Sequence, residues 1–343
     1  MTHRLTRPGR TIASLLAVGG VLTSLAACGS DAAGAEKLTV YSAQHESLVR
    51  AMLEGFTEET GIALEFRDAN DSELANQIVQ EGDASPADVF LTENSPSIDV
   101  VDREGLLAPL DETTLAQVGE QYRPGSGNWV GFAARSTVLM YNPAEVAEDE
   151  LPASMLDLAD PAWEGRVGIA SGGADFQAIV SAVLALEGED ATRQWLAGLQ
   201  RNAEIYASNT AIMKAVDEGE VPVGITDHYY WFRDQAQNGL IGDDAELHYF
   251  RNSDPGAFVS LSGAGVLASS DQLEEAQRLV ASLTGREAQE KLAESSALEY
   301  AVGTGVASAD ALPPLDGLGA PPVDPGSLDS SLVTELMQEV GLL

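Results

Sequence analysis

Short apolar segments alternate with amphipathic segments along most of the chain, and this alternation restricts its possible folds more than any other feature. Leu38–Ala43 is apolar and predicts a buried strand, and the amphipathic segment Glu46–Glu59 predicts a helix that Gly61 ends. Val167–Ala170 and Val223–Thr226 are also strand-like, and a helical pattern follows each of them. Repeated strand–helix units predict a mainly parallel sheet covered by helices, so the expected fold class is α/β.

A long β-rich segment, Trp129–Tyr141, lies between two series of these strand–helix units. It is a candidate for a strand that passes from one domain to another. The 343 residues of the chain are enough for two domains of ordinary size. The sequence therefore predicts two α/β units connected through this segment.

The chain is strongly acidic, since 54 Asp and Glu residues against 18 Lys and Arg residues give a formal net charge of -36. Such a surface repels nucleic acid and anionic lipid headgroups, so we expect no nucleic-acid partner. A cationic ligand is compatible with this charge. A high net charge mainly affects solubility, however, so a strongly solvated surface is the simpler explanation of the acidic composition.

The N-terminus has the pattern of an export signal. Three arginines among the first ten residues precede the apolar segment Thr11–Ala27, which ends in Leu25-Ala-Ala-Cys28. This ending resembles the lipobox of bacterial lipoproteins, in which the cysteine receives lipid and becomes the first mature residue. We therefore expect a signal peptide over 1–27, lipidation of Cys28 and a flexible tether over 28–37. The alternatives are an ordinary exported domain with an incidental cysteine, and an uncut anchor.

Polar and aromatic side chains follow the ends of four predicted strands, which is where ligands bind in open α/β sheets. The four segments are Gln44-His45-Glu46, Glu93-Asn94, Ser171-Gly172-Gly173-Ala174 and Asp227-His228-Tyr229-Tyr230. They offer an imidazole, a carboxylate, a glycine-rich helix start and two phenols. If two lobes face each other, these groups converge in one cleft.

This set of donors suits a hard, highly charged cation. Carboxylate and phenolate oxygens are hard donors, and imidazole suits iron. A phenol titrates near ~10, so a phenolate at neutral pH needs a strongly charged metal ion beside it, such as ferric iron. The turn at Gly172 and Gly173 opens a helix whose free backbone N–H groups attract a small anion, and that anion would complete the coordination of the cation.

Each of these segments also has a plainer interpretation. His45 could be exposed near a helix start, Glu93 could be a solvated loop acid, and the glycine pair could be only a turn. Tyr229 and Tyr230, with the aromatic residues that follow them, could form a platform for a sugar or an amine, or belong to the core. An extracytoplasmic metal-dependent hydrolase is a further alternative, although the chain has neither a Gly-x-Ser-x-Gly nor a His-Glu-x-x-His motif.

Several longer segments resemble the bacterial ferric-ion-binding proteins of ABC importers. These segments are Leu38-Thr-Val-Tyr-Ser-Ala-Gln-His45, Gly82 through Ser85-Pro-Ala-Asp-Val-Phe90 to Glu93, Ala134-Arg-Ser136, Tyr206-Ala-Ser-Asn209, Tyr229-Tyr-Trp231, Asp254-Pro-Gly-Ala257 and Ser262-Gly-Ala264. The resemblance implies that Fe(III) is bound by four residues, His45, Glu93, Tyr229 and Tyr230. It also implies a synergistic anion, phosphate or carbonate, in contact with Asn94, Gly172, Gly173, Ala174, Asn209 and Asp227.

Two of the implied anion contacts depart from the family pattern. Gly172 stands where the family has a serine, which removes a hydroxyl donor. Asp227 stands where asparagine is common, and an acid repels an anion unless it is protonated or paired. The sequence therefore predicts a weaker dependence on phosphate than in relatives that carry the asparagine.

The resemblance also implies the architecture and the partners. It implies a two-lobed type II periplasmic-binding-protein fold, similar to transferrin, with two mixed sheets joined by crossover strands. Lobe 1 is expected over 38–134 and 261–300, and lobe 2 over 138–259 and 301–343. The implied protein is a monomer without catalytic activity, held at the outer face of the cell membrane only by lipid on Cys28, that delivers ferric iron to an ABC importer permease. The same fold could instead bind a polyamine, thiamine, a sugar phosphate or another small organic solute.

Overall fold

The computed structural model describes residues 37–237 and 244–343. The predicted signal peptide over 1–27, Cys28 and the tether up to residue 36 lie outside the described residues. No helix among the described residues is both long enough and apolar enough to cross a membrane.

The described strands pair into one mixed sheet. They are β1 (Lys37–Ser42), β2 (Ala63–Asp68), β3 (Val89–Leu91), β4 (Leu107–Ala108), β5 (Trp129–Tyr141), β6 (Val167–Ile169), β7 (Ala203–Ile205), β8 (Val223–Asp227), β9 (Glu246–His248) and β10 (Val259–Leu267). Their order is β2-β1-β3-β10-β5-β8-β6-β7, with β4 beside β10 and β9 beside β5. The strands β1 to β3 are parallel to one another, as are β6 to β8, whereas β10 and β5 run antiparallel to their neighbours. The predicted α/β class with mixed strand pairing is confirmed, and the two expected sheets are the two halves of this one sheet.

Strand β5 belongs to both halves of the sheet. Its first part, from Trp129 to Ser136, pairs with β10, and its second part, from Thr137 to Tyr141, pairs with β8. All 13 of its residues are buried. The prediction that this segment passes from one unit to the other is therefore confirmed.

Helices cover the sheet and follow most of its strands. They are α1 (Glu46–Met52), α2 (Phe56–Thr60), α3 (Asp71–Glu81), α4 (Ser95–Arg103), α5 (Glu112–Leu115), α6 (Ala174–Glu187), α7 (Glu189–Asn202), α8 (Asn209–Asp217), α9 (His228–Gln237), α10 (Leu273–Thr284), α11 (Arg286–Glu294) and α12 (Ser330–Val340). The prediction of one helix over Glu46–Glu59 is wrong. Two short helices lie there, because Gly55 adopts a φ of 88° and interrupts the helical backbone.

The buried apolar side chains of the described residues form two large clusters and a smaller one around α8. The division between the large clusters falls within β5, because Ala134 packs in the first cluster and Leu139 in the second. Lobe 2 was expected to resume at residue 301, yet four later side chains are buried in the first cluster: Ala301, Val302, Leu312 and Leu318. We therefore propose that lobe 1 extends to about residue 318, and the exact lobe boundaries stay a prediction.

Gly224 of β8 lies against α8 with no room for a side chain. A Cβ at this position would lie 2.2 Å from Cγ2 of Ile212, which is itself fully buried. We expect Gly224→Ala to lower the free energy of unfolding by about 1–3 kcal/mol through overpacking, as measured by urea denaturation. Gly317→Ala is the control, because the nearest atom to its Cβ would be 3.9 Å away. An equal change in the two variants would contradict the packing argument.

Candidate metal centre

The four predicted metal ligands lie where strands end and helices begin. His45 follows β1 and directly precedes α1, and Glu93 lies between β3 and α4. Tyr229 and Tyr230 are in the first turn of α9, which begins directly after β8. Strand β8 runs antiparallel to β1 and β3, so the carboxyl ends of β1 and β3 face the carboxyl end of β8, and the sheet fixes the backbone of all four residues where these ends meet.

Glu93 lies at the centre of this group. Its Oε1 accepts a hydrogen bond from the Tyr229 hydroxyl at 3.3 Å and lies 3.7 Å from Nε2 of His45. The ring centroids of His45 and Tyr229 are 6.0 Å apart, and those of Tyr229 and Tyr230 are 4.2 Å apart. The structure thus brings all four residues together. Although Tyr229 is fully buried, its hydroxyl faces the carboxylate rather than the apolar core.

The His45 imidazole is available as a neutral ligand. Within the described part of the chain, its Nε2 has no hydrogen-bond partner. Burial lowers the pKa of His45 to about 4, and the nearby charges of Arg135 and Arg233 contribute to this shift. The ring is therefore uncharged at neutral pH, which is the form that binds metals.

Glu93 and the two phenols hold protons when no cation is bound. Burial raises the pKa of Glu93 to about 8, with Arg135 opposing the rise and Asp175 adding to it. Burial also raises the pKa of Tyr229 and of Tyr230 above the usual value of a phenol, and the Asp175 carboxylate is the next cause. A cation that binds here must displace these protons.

Arg135 is a buried cation beside the predicted ligands. It donates hydrogen bonds to the backbone carbonyl of Glu93, to Oδ1 of Asn94 at 3.3 Å and to Oγ of Ser262 at 2.6 Å. Its Nε also donates to Oε2 of Glu299 at 3.2 Å. A buried arginine is tolerated only when its charge and its donors are satisfied in this way. These bonds hold the main chain of Glu93 in place and direct its carboxylate towards His45.

Asp175 is a carboxylate that the sequence reasoning missed, and it borders the other side of the group. Its oxygens accept hydrogen bonds from Nδ2 of Asn94 at 2.9 Å, from Nδ2 of Asn209 at 2.8 Å and from the Tyr230 hydroxyl at 2.9 Å. It lies in the first turn of α6, directly after the Gly172-Gly173-Ala174 turn. The sequence signal that could have pointed to Asp175 was an acid in the first turn of a predicted helix. Free N–H groups and the helix dipole favour a carboxylate at that position.

Five of the six predicted anion contacts line one cavity of about 390 Å³ beside the ligands: Asn94, Gly172, Gly173, Ala174 and Asn209. The sixth, Asp227, is not among the lining residues. It is buried, and neither of its carboxylate oxygens has a hydrogen-bond partner among the described residues. Burial raises the pKa of Asp227 well above its usual value, with the Asp175 carboxylate adding to the rise, and this favours the protonated form.

The two side-chain amides predicted to hold an anion, those of Asn94 and Asn209, are already bonded to the Asp175 carboxylate. This carboxylate therefore takes the hydrogen bonds that were expected to reach an external anion. The residue that bears most directly on the anion is thus Asp175 rather than Asp227.

The phenols decide whether this group can hold a metal ion. In the parts of the chain that the structure describes, no three His, Cys, Asp or Glu side chains are arranged to hold one. Only with the oxygens of Tyr229 and Tyr230 does the set around His45 and Glu93 reach four donors. Phenolate is a ligand that ferric iron takes readily, whereas calcium and magnesium favour carboxylates, carbonyls and water.

Comparison with known proteins identifies the class of the chain. The family model described as bacterial extracellular solute-binding protein matches residues 84–317. The chain belongs to this family. It is 53% identical over 318 residues to the Fe(3+)-binding periplasmic protein of Serratia marcescens, a match that covers 92% of this chain and 94% of that protein. It is 34% identical over 308 residues to the major ferric iron-binding protein of Neisseria meningitidis serogroup B, covering 89% of this chain and 93% of that protein.

A solved structure supports the architecture of this solute-binding protein. Iron-bound HitA from Pseudomonas aeruginosa superposes with a TM-score of 0.83 at 40% sequence identity, over 89% of this chain and 99% of that one. The two-lobed α/β fold predicted from the sequence is therefore confirmed.

Proposed function

We propose that this solute-binding protein captures ferric iron in the cleft between its two lobes and delivers it to the permease of an ABC importer. The observation that carries the proposal is the convergence on Glu93, whose Oε1 lies 3.3 Å from the Tyr229 hydroxyl and 3.7 Å from Nε2 of His45. Hard oxygen donors combined with one neutral imidazole suit ferric iron. The names of the Serratia marcescens and Neisseria meningitidis relatives support the same cargo.

Capture follows from an exchange of protons for a cation. In the metal-free protein the Tyr229 hydroxyl donates to Glu93, and the Tyr230 hydroxyl donates to Asp175. Ferric iron placed among these groups displaces the phenol protons and takes up the oxygens. His45 and Glu93 follow strands of one half of the sheet and the tyrosines follow a strand of the other half. The cation therefore stabilises the closed arrangement of the lobes, in which both sets of ligands reach it.

We further propose that Asp175 supplies the negative charge that the predicted synergistic anion would otherwise bring to the site. The Asp175 carboxylate already accepts hydrogen bonds from the amides of Asn94 and Asn209 and from the Tyr230 hydroxyl. Once the cation displaces the proton of Tyr230, a carboxylate oxygen of Asp175 is free to face the metal. Phosphate or carbonate is then not required for tight binding.

The arrangement of the arginines disfavours an organic amine as the cargo. An amine would stack on the rings of the two tyrosines. The guanidinium of Arg233 lies 5.3 Å from the ring centroid of Tyr229 and 5.6 Å from that of Tyr230, and Arg135 lies 5.7 Å from Tyr229. These positions over the rings are already occupied by guanidinium groups, so an amine could not stack there.

The lipid anchor on Cys28, the position at the outer face of the cell membrane and the monomeric state belong to the same proposal. They rest on the sequence pattern of the N-terminus and on the resemblance described above.

The experiment that tests the cargo is a titration of metal-free protein with ferric citrate, followed by visible absorbance. A phenolate–iron charge-transfer band that saturates at one iron per chain is expected, and its absence would contradict the proposal.

Iron affinity is expected to fall steeply in acid. Glu93 has a pKa of about 8, and the pKa values of both phenols are raised. All three groups therefore carry protons from about pH 5.5 to 7.5 and must lose them when iron binds. His45, with a pKa of about 4, is already neutral there and releases none. Each iron thus displaces about three protons, and the logarithm of the affinity rises by about 3 per pH unit.

Competition with citrate across this window, corrected for the protonation of citrate itself, measures the slope. A slope below about 1 would mean that the phenols keep their protons, and would contradict the assignment of Tyr229 and Tyr230 as ligands.

A further inference from the structure

Three consecutive residues, Leu298, Glu299 and Tyr300, contact both halves of the proposed iron site. They lie between α11 and the C-terminal part of the chain, and none of them is a predicted ligand. We call them the 298–300 segment. The segment contacts Gln44, which precedes His45, and Arg135, which bonds to the main chain of Glu93. It also contacts His228, which precedes Tyr229.

Glu299 contacts the half of the site that holds His45 and Glu93. Its side chain has no exposed surface, and its Oε2 accepts from Nε of Arg135 at 3.2 Å and from Nε2 of Gln44 at 3.4 Å. Gln44 in turn accepts the backbone N–H of His45 at 2.6 Å, and Arg135 donates to the backbone carbonyl of Glu93. One buried carboxylate therefore orients the two side chains that hold the His45 and Glu93 main chains.

Leu298 and Tyr300 contact the other half through His228, which directly precedes Tyr229. The His228 ring is fully buried, its Nδ1 accepts the backbone N–H of Ser136 at 3.1 Å, and its Nε2 lies 3.0 Å from the carbonyl of Leu298. A carbonyl can only accept, so Nε2 carries the proton and donates. The ring of Tyr300 stacks on the imidazole at a centroid distance of 4.6 Å.

The segment is itself held in one conformation. Leu298 has a φ of 56°, which a residue with a branched side chain adopts only when its surroundings impose it. Tyr300 exchanges two backbone hydrogen bonds with Ala134 of β5, at 2.9 and 3.0 Å. The segment is thus anchored to the strand that both halves of the sheet share, close to the point where the core divides.

We propose that the 298–300 segment sets the spacing between the two halves of the iron site, and that Glu299 of this segment and His228, which contacts it, are positioning residues. The inference rests on the proposed function, because it concerns the geometry of the same four ligands. Neither residue touches the cation. Each fixes the main chain next to a ligand, one on each side of the cleft.

The test uses the full iron-loaded protein and the variants Glu299→Gln and His228→Asn. Two quantities are measured: the wavelength of the visible charge-transfer band, and the rate at which a competing chelator removes iron. Both variants are expected to shift the band and to lose iron at least about ten-fold faster than the parent, as loss of a supporting contact does at other metal sites. Asp99→Asn is the matched control, because Asp99 is also a buried acid but bonds to the indole of Trp129, outside the site.

Leu298→Gly is a third variant, in which glycine adopts the same φ without strain. Its freer backbone is expected to speed iron loss in the same direction. If the control changes as much as the positioning variants, or if Glu299→Gln, His228→Asn and Leu298→Gly all keep the band and the release rate of the parent, the inference is contradicted while the proposed function stands. A parent protein without any band contradicts the proposed function itself, and the inference with it.

Discussion

Replacing both Tyr229 and Tyr230 by phenylalanine is expected to abolish the visible band of the iron-loaded protein and to weaken iron binding by at least about 1,000-fold, which corresponds to about 4 kcal/mol. The physical reason is the donor count, since only His45 and Glu93 remain of the four predicted ligands. Phenolate is also the donor that gives the complex its colour. The measurement is absorbance during titration with ferric citrate, together with competition against a chelator of known strength.

A matched control removes two phenols that also donate to carboxylates but lie elsewhere. The hydroxyl of Tyr41 bonds to Glu81 at 3.2 Å, and that of Tyr141 bonds to Glu246 at 2.7 Å. The variant Tyr41→Phe with Tyr141→Phe should keep both the band and the affinity of the parent. Should the Tyr229 and Tyr230 double variant bind iron as tightly as the parent, the ligand assignment would be wrong.

Asp175→Asn is expected to make iron binding depend on an added anion. The parent should bind iron in phosphate-free and carbonate-depleted buffer, because the Asp175 carboxylate already accepts the amides of Asn94 and Asn209 and the Tyr230 hydroxyl. The variant keeps the shape of the side chain but loses its charge. We expect its affinity in such buffer to fall by about 100-fold, and added phosphate to restore a large part of the loss.

The control for this prediction is again Asp99→Asn, which removes a buried carboxylate from α4 and leaves the site intact. It should bind iron like the parent with or without phosphate. If the parent itself proves to need phosphate, or if phosphate does not help Asp175→Asn, then Asp175 does not take the place of an anion.

The placement of the four predicted ligands next to one another could be predicted from the sequence because it follows a local rule. His45, Glu93 and the tyrosine pair each come directly after an apolar strand pattern, and ligands bind beyond the carboxyl ends of such strands. The shared strand β5 was also visible, because its thirteen residues form a β-rich pattern of unusual length. Local patterns were therefore enough for the main strands of the sheet and for the strand ends that carry these four side chains.

The contacts that complete the site could not be predicted in this way, because they join distant parts of the chain. Gln44 and Glu299 are 255 residues apart, and Arg135 and Glu299 are 164 apart. No sequence pattern shows that an arginine such as Arg135 will be fully buried, since burial of that side chain depends on the acids that the tertiary fold places around it. Asp175 was missed for a different reason, because an acid in a first helical turn is common and usually only stabilises the helix.

The most direct test of the account is a crystal structure of the iron-loaded protein with anomalous diffraction recorded at the iron absorption edge. The account predicts one anomalous peak, within bonding distance of Nε2 of His45, the Glu93 carboxylate and the hydroxyl oxygens of Tyr229 and Tyr230, with the Asp175 carboxylate facing it. A peak located away from these side chains, or phenol oxygens that point away from the peak in the closed protein, would contradict it.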